Sequence, residues 1–413
     1  GASATPLAVF AVSSESPTAG ASIMLDAGPS NWPAVSRSTM RVLPAERVYL
    51  LALAGLMVLA LVMRAYRLTT LPLDLDGDFA SHGLQARALA TGQEPFLFKY
   101  GWANIPMIGF LPAALTMKVF GTGLAGLNAS GVIEGLGIIV GVYLLGRQLV
   151  HPRAGLLAAA LLTISYTHLH FSRTSEYIDP VFFMVYAVFF LVLGLQRGRG
   201  WAFVLSGLAT AFGLQMYYSG RITLFIVACV GLYLLIARRD LLAARWQGGL
   251  LWLFALLAGL GPMLIVFLRD WEGFVSRSRE VYLFTPAVLE HLRNKYQVDS
   301  LGAILWEQTK RTFLVFHVYV DTSTQFGLQR PFLDVASSAL LALGVGYALV
   351  HVRRFGHFLL LAWLGMILLL GLFLTNNAPF WPRLLGLLPP AALLAGLALE
   401  RLYTPAVDWA NQR

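Results

Sequence analysis

Pro72-Leu73-Asp74-Leu75-Asp76-Gly77-Asp78-Phe79-Ala80-Ser81-His82-Gly83 gathers three carboxylates and a histidine just beyond the first long apolar run of the chain. Around this turn, 413 residues are 57% hydrophobic and only 12% charged, against about one-quarter charged in a soluble domain. Mean hydropathy is positive, so the chain reads as a polytopic membrane protein. The net charge of +9 does not point to nucleic acid, because the basic residues fall as pairs between apolar runs and gather on no single face. Cys229 is the one cysteine and lies inside an apolar run, so no intramolecular disulfide braces a loop.

The first span covers residues 48–63 and follows Arg37, Arg41 and Arg47. By the positive-inside rule this places the N-terminus in the cytoplasm and the acidic turn outside. Residues 1–44, rich in Ala, Ser, Pro and Gly, read as an extended tail and not a signal peptide. The apolar segment 104–119 carries Pro106, Pro112 and Lys118 and falls short of the roughly 20 residues that a crossing needs. It is expected to be re-entrant or surface-lying. On that assumption the connections with Arg147 and Arg153, Arg197 and Arg199, Arg238, Arg239 and Arg245, and Arg353 and Arg354 all become cytoplasmic. The further spans are 127–145, 154–167, 181–195, 202–217, 222–236, 250–268, 335–350, 358–374 and 384–399, about ten crossings in all. Trp201, Trp246, Trp271 and Trp381 stand at run ends, where interfacial anchors sit. The expected architecture is all-α: a transmembrane domain over residues 45–413, with a first outer loop at 64–126 and a long outer loop at 269–334. Thr285 before Pro286 marks a helix start inside the long loop.

Outer loops collect the chemistry. Asp78 suits a helix start, where the dipole holds a carboxylate ionised and ready to accept a proton; Asp74 and Asp76 deepen the local negative potential. Arg173 follows Ser172 and precedes Glu176 and Asp179, while Arg221 and Arg383 emerge from other outer turns. Three guanidinium groups beside carboxylates make a clamp for a lipid phosphate or pyrophosphate, although a lone interfacial arginine also snorkels to headgroups. His168 and His170, two apart at a span end, fit interfacial polar residues better than metal ligands. Tyr217 and Tyr218 read as belt aromatics.

Several elements in this order carry a family resemblance. They are a first span, an outer Asp-bearing loop, Leu144-Leu145-Gly146-Arg147 closing a span, Leu157-Ala158-Ala159-Ala160-Leu161-Leu162, and then His170-Phe171-Ser172-Arg173 with Asp179-Pro180. The chain resembles the GT-C glycosyltransferases, and within them the protein O-mannosyltransferase and aminoarabinose-transferase group. The resemblance covers residues 46–240, and the stretch Asn377-Ala378-Pro379 through Arg383 and Leu387-Leu388-Pro389 is similar to the family's last outer loop and span.

The resemblance implies inverting transfer of a sugar from a polyprenyl-phosphate donor to an acceptor on the outer face of the plasma membrane. It implies the first-loop aspartate, here Asp78, as general base or acceptor-orienting group; joined with the reading of the residues above, Asp76, Arg173, Glu176, Asp179, Arg221 and Arg383 are the expected substrate-binding residues. The family often has Glu directly after the aspartate, where this chain has Phe79; its acidic residue after Ser-Arg falls on Asp179, with Glu176 nearer. No cofactor is firmly implied: the oligosaccharyltransferase branch binds a divalent metal through acids in corresponding loops, and the mannosyltransferase branch works without one. Membrane lipids are the surrounding partner, and segment 104–119 is expected to receive the prenyl chain. Two other readings stand beside the enzyme. One is a catalytically degenerate relative serving as a subunit of a larger membrane complex, which Phe79 motivates; the other is a lipid transporter, for which Glu134 is the main mid-span acid.

Overall fold

The computed structural model describes residues 44–71, 76–323 and 325–411. The tail assigned to residues 1–44 lies, except for Pro44, outside the described residues, as does Asp74. Apolar runs become helices because hydrocarbon offers no partner to a free backbone N–H or C=O. In chain order they are α1 (Pro44–Ala65), α2 (Gly77–Thr91), α3 (Leu111–Phe120), α4 (Leu124–Leu149), α5 (Pro152–Ile164), α6 (Tyr166–Phe171), α7 (Asp179–Arg197) and α8 (Gly200–Leu214). There follow α9 (Ile222–Ala237), α10 (Arg239–Leu260), α11 (Pro262–Arg269), α12 (Trp271–Val281), α13 (Pro286–Tyr296) and α14 (Leu301–Leu314). The last are α15 (Val335–Val350), α16 (Phe355–Ile367), α17 (Trp381–Leu384) and α18 (Leu388–Asn411).

Among the described residues, seven helical segments are long and apolar enough to cross a bilayer, including Tyr218–Ala237 and Phe355–Phe373, where short turns extend α9 and α16. Four shorter apolar helices accompany them: Met107–Phe120, Pro152–Ile164, Gly200–Leu214 and Val335–Val350. The ten expected spans thus fall on seven long helices and three of these shorter ones. The chain is a multi-pass membrane protein. One boundary moves: the apolar run 250–268 is broken at Gly261, whose φ of +51° favours glycine, and by Pro262 at the start of α11. The long helix is α10 instead, so Arg239 and Arg245 lie inside a helix and not in a connection.

Residues 388–400 of α18 are almost all buried, packed between α5 and α15. Small residues let the backbones close up. A Cβ on Gly344 of α15 would collide with the Leu394 carbonyl, and one on Gly396 would sit 2.6 Å from the Ala154 carbonyl of α5. By contrast α1 leaves Val48, Leu51, Val58 and Val62 exposed, as a helix facing lipid does. Of the expected interfacial tryptophans, Trp201, Trp246 and Trp271 are exposed, but Trp381 is fully buried against Phe332, so it is core and not an anchor. Segment 269–334 carries α12, α13 and α14: Leu283, Val288, Leu292 and Ile304 form a small core for α13 and α14, and Thr285 does precede α13.

The bundle has two chemically different ends. At one, Arg147 pairs with Glu46 at 2.7 Å and Arg153 sits over the Tyr403 ring. At the other, Arg173 closes the end of α1. Its Nη1 donates to the carbonyls of Met63 (2.6 Å) and Arg64 (2.9 Å), and its Nη2 to those of Tyr66 (2.5 Å) and Leu71 (3.2 Å). The last carbonyls of a helix have no intrahelical donor, and a cation there also meets the negative end of the dipole. The expectation that Arg173 grips a lipid phosphate is therefore corrected: its guanidinium is occupied by backbone.

Replacing Arg173 with Ala strips four buried or partly buried carbonyls of their donor and is expected to cost on the order of 3 kcal/mol. Thermal unfolding in detergent checks this; an unchanged Tm with loss of lipid binding would return Arg173 to the ligand.

Candidate functional site

Asp76, not Asp78, caps α2: its carboxylate accepts from the Phe79 amide at 2.8 Å. The acidic triplet thereby divides its labour. Asp76 spends an oxygen on the helix, and Asp78, in the first turn, turns its side chain to the loop between α6 and α7, where the Tyr177 hydroxyl donates to its Oδ2 at 3.4 Å. Phe79, where the family often has Glu, is buried. Besides Asp76, the carboxyl of Glu176 also stands within electrostatic reach of Asp78.

That loop is seated by small residues of α4. A Cβ on Gly131 would collide with the Thr174 carbonyl, and one on Gly135 with the Ser172 side chain. The seating buries Ser175, Glu176, Tyr177 and Asp179. Asp179 begins α7 and has Glu134 of α4 as its electrostatic neighbour. It lies with the acids, although one of its oxygens, like one of Glu176, has no protein partner.

Burial above all, and then the like charge of Asp76, raises the Asp78 carboxyl above the ordinary carboxylate range; Tyr177 and Arg277 pull the other way. Burial pushes Glu176 up to about 9, with Asp76, Asp78 and Asp179 adding to it. The Tyr177 phenol is raised by burial and by Glu176. His170 is lowered to about 4 by burial and by Arg173, and His168 is lowered by burial and by Arg64, which meets its Nδ1 at 2.7 Å. Both imidazoles are neutral members of the loop's foundation. Among the described residues no three His, Cys, Asp or Glu side chains gather in a way that would hold a metal ion.

Tyr177 packs edge-on against Tyr217, with centroids 4.6 Å apart. Beyond Tyr217 opens a cavity of about 450 Å³. Arg221, Arg277 and Arg383 line it together with apolar residues that include Leu214, Leu224, Phe225, Leu370 and Leu374. Arg221 donates to the Phe274 carbonyl at 2.6 Å and lies over the Phe274 and Tyr218 rings. Arg383 donates to the Asn376 side chain at 3.1 Å and meets Tyr217. Two of the three expected arginines converge, and Arg277 of α12 takes the place assigned to Arg173.

Two further expectations change. Tyr217 and Tyr218 belong to the site, not to an aromatic belt, and the apolar wall comes from α9, α12 and residues 370–374, not from segment 104–119. Tyr177 and Arg277 escaped the sequence reading. Tyr177 directly follows Glu176, and Arg277 stands in the mixed-charge run Ser276-Arg277-Ser278-Arg279-Glu280, the signals that pointed to them.

Comparisons with known proteins agree with this architecture. The family described as dolichyl-phosphate-mannose-protein mannosyltransferase matches residues 104–265. Among solved structures, the chain is similar to ArnT from Cupriavidus metallidurans bound to undecaprenyl phosphate, with a TM-score of 0.58 at 14% identity, covering 89% of this chain and 61% of that one. It is similar also to the archaeal oligosaccharyltransferase AglB from Archaeoglobus fulgidus, in complex with an inhibitory peptide and a dolichol-phosphate. There the TM-score is 0.56 at 17% identity, covering 89% of this chain and 52% of that one. The chain thus spans a little over half the length of these structures. A search of curated protein sequences finds no match. In fold over most of its length, and in sequence over residues 104–265, the chain resembles the GT-C glycosyltransferases.

Proposed function

We propose that this protein is a membrane glycosyltransferase that moves a sugar from a polyprenyl-phosphate donor to an acceptor hydroxyl or amine. The observation that carries the reading is the cavity: three guanidinium groups, from residues 221, 277 and 383, share one space with an apolar wall, and a partly buried carboxylate stands next to it. A prenyl phosphate has the same two halves. Guanidinium forks match phosphate oxygens bidentately, and Leu224, Phe225, Leu370 and Leu374 suit the first isoprene units.

In this mechanism Asp78 accepts the proton of the acceptor as its oxygen or nitrogen bonds to the anomeric carbon. The bond from that carbon to the phosphate oxygen breaks, and its electron pair leaves with the lipid phosphate. Attack opposite the leaving group inverts the centre. Arg221, Arg277 and Arg383 neutralise the growing phosphate charge, in a place where electrostatics outweigh those in water. The two ends of the bundle support one orientation. The end with Arg147, Arg153, Arg353 and Arg354 faces the cytoplasm, and the acidic turn with its cavity faces outward. Asp76 serves here through the helix it caps, and Asp179 through the loop it closes.

Asp78→Asn is expected to lower transfer by about 10²–10⁴-fold with little change in Tm, measured with a radiolabelled prenyl-phosphate sugar; full activity would remove Asp78 as base. Because the base must be ionised, transfer is full above the Asp78 midpoint and fails as pH drops through it. Burial and Asp76 place that midpoint above the ordinary carboxylate range, which a profile of kcat/KM against pH reads. Arg383→Ala and Arg221→Ala are each expected to weaken binding of undecaprenyl phosphate by about tenfold or more, read by titration in detergent. Unchanged affinity in both would leave the cavity without its ligand.

A further inference from the structure

Asn376 joins two of the elements that bring cations to the cavity, α12 with Arg277 and α17 with Arg383. Residues 281–283 and 374–376 pair through their backbones: the Asn376 N–H donates to the Val281 carbonyl at 2.8 Å, and the Leu283 N–H to the Leu374 carbonyl at 2.9 Å. The Asn376 side-chain oxygen accepts from Arg383 Nη1 at 3.1 Å, while its side-chain nitrogen reaches the Glu280 carbonyl at 3.4 Å. A guanidinium only donates and a carbonyl only accepts, so this seat has one solution, with the oxygen towards Arg383 and the nitrogen towards the end of α12. An amide serves both neighbours. A carboxylate of the same shape serves only the first.

We infer that Asn376 is a positioning residue that aims Arg383 without neutralising it, and that the cavity therefore favours a lipid phosphate monoester, the leaving group, over the phosphodiester donor. This rests on the transferase reading above and adds to it the charge state that the site selects. A sugar joined to a prenyl phosphate is a diester with one negative charge. When the bond from the anomeric carbon to the phosphate oxygen breaks, its electron pair stays on that oxygen, and the lipid phosphate then carries two. Guanidinium groups already compensated by an acid would gain little from the second charge; uncompensated ones gain most. Interactions that strengthen along the reaction are the ones that speed it.

The partners of the three arginines fit this role. Among the described residues neither Arg221 nor Arg383 forms an ion pair. Arg221 is held by the Phe274 carbonyl and two rings, and Arg383 by Asn376 and the Phe380 ring, 4.8 Å from its centroid. Arg277 does pair with Glu280, at 2.9 Å, but both side chains are well exposed, where such a pair is weak. Two further acids act from a distance, Asp78 on Arg277 and Asp321 on Arg383. The Asp321 oxygens are occupied by the Ser323 and Trp381 amides, each at 2.8 Å.

The test measures the affinity of the full chain in detergent for undecaprenyl phosphate and for its methyl ester. At about pH 8 the first carries two charges and the second one, because a phosphate monoester ionises a second time near pH 6. The wild type is expected to hold the monoester about tenfold or more tighter. Asn376→Asp sets a carboxylate on Arg383 and is expected to abolish that preference. Asn376→Gln stays neutral and is expected to keep it. Asn376→Ala removes the aim and is expected to weaken both lipids together. Equal affinity of the wild type for the two lipids, or a preference that survives Asn376→Asp, overturns the inference and leaves the transferase reading in place. Should Asn376→Asp fail to fold, Asn376→Ala decides, since wild-type affinity for both lipids in that variant removes Asn376 from the site. A wild type that binds neither lipid sinks the transferase reading, and the inference with it.

Discussion

The last carbonyls of α1 must find donors where the chain leaves the bundle, and Arg173 provides them. Four backbone oxygens between residues 63 and 71 converge on one guanidinium from a loop about a hundred positions later. This interaction does more than finish a helix. It draws the start of the acidic turn onto the loop that carries Glu176 and Tyr177, so that Asp78 and Tyr177 meet. A bundle lacking that tie would leave α2 and the 172–178 loop to approach each other by chance.

The same loop is tied from below. Gly131 and Gly135 of α4 let it lie on the helix, and the neutral, buried His168 accepts the Arg64 guanidinium. Arginines that begin far apart in the chain thereby serve two different ends. Arg64 and Arg173 hold backbone and ring nitrogens and fix shape, while Arg221, Arg277 and Arg383 border the cavity, Arg277 also pairing with Glu280 at 2.9 Å. Tyr177 and Tyr217 pack edge-on between the acidic loop and the cavity, and Arg277 still acts electrostatically on the Asp78 carboxylate.

Much of this was legible in the sequence, and the reason is the solvent. Apolar runs must be helical in a bilayer, so α1, α4, α7, α9, α15 and α16 could be placed from hydropathy to within a few residues. Asp78 and Arg383 could be singled out because a charge beside an apolar run needs a reason. Failures came where a residue's neighbours are distant in sequence. Nothing near Arg173 says that its fork is filled by α1, and nothing near Trp381 says that Phe332 covers it. Arg277 is one of several charges on α12, and only the fold shows which of them faces the cavity. The boundary at Gly261 was missed because the apolar residues on either side of a Gly-Pro pair mask a break that is conformational and not hydropathic.

The cavity beside the three arginines measures about 450 Å³, the size of a pocket for a drug-like ligand. For a prenylated phosphate, such a space encloses the headgroup and the first few carbons and nothing more. The rest of the chain must trail among the surrounding acyl tails. On the proposed reading, a protein built this way takes no ruler to its lipid: it would read the charged end, and the overall number of isoprene units would be left to whatever the host membrane makes.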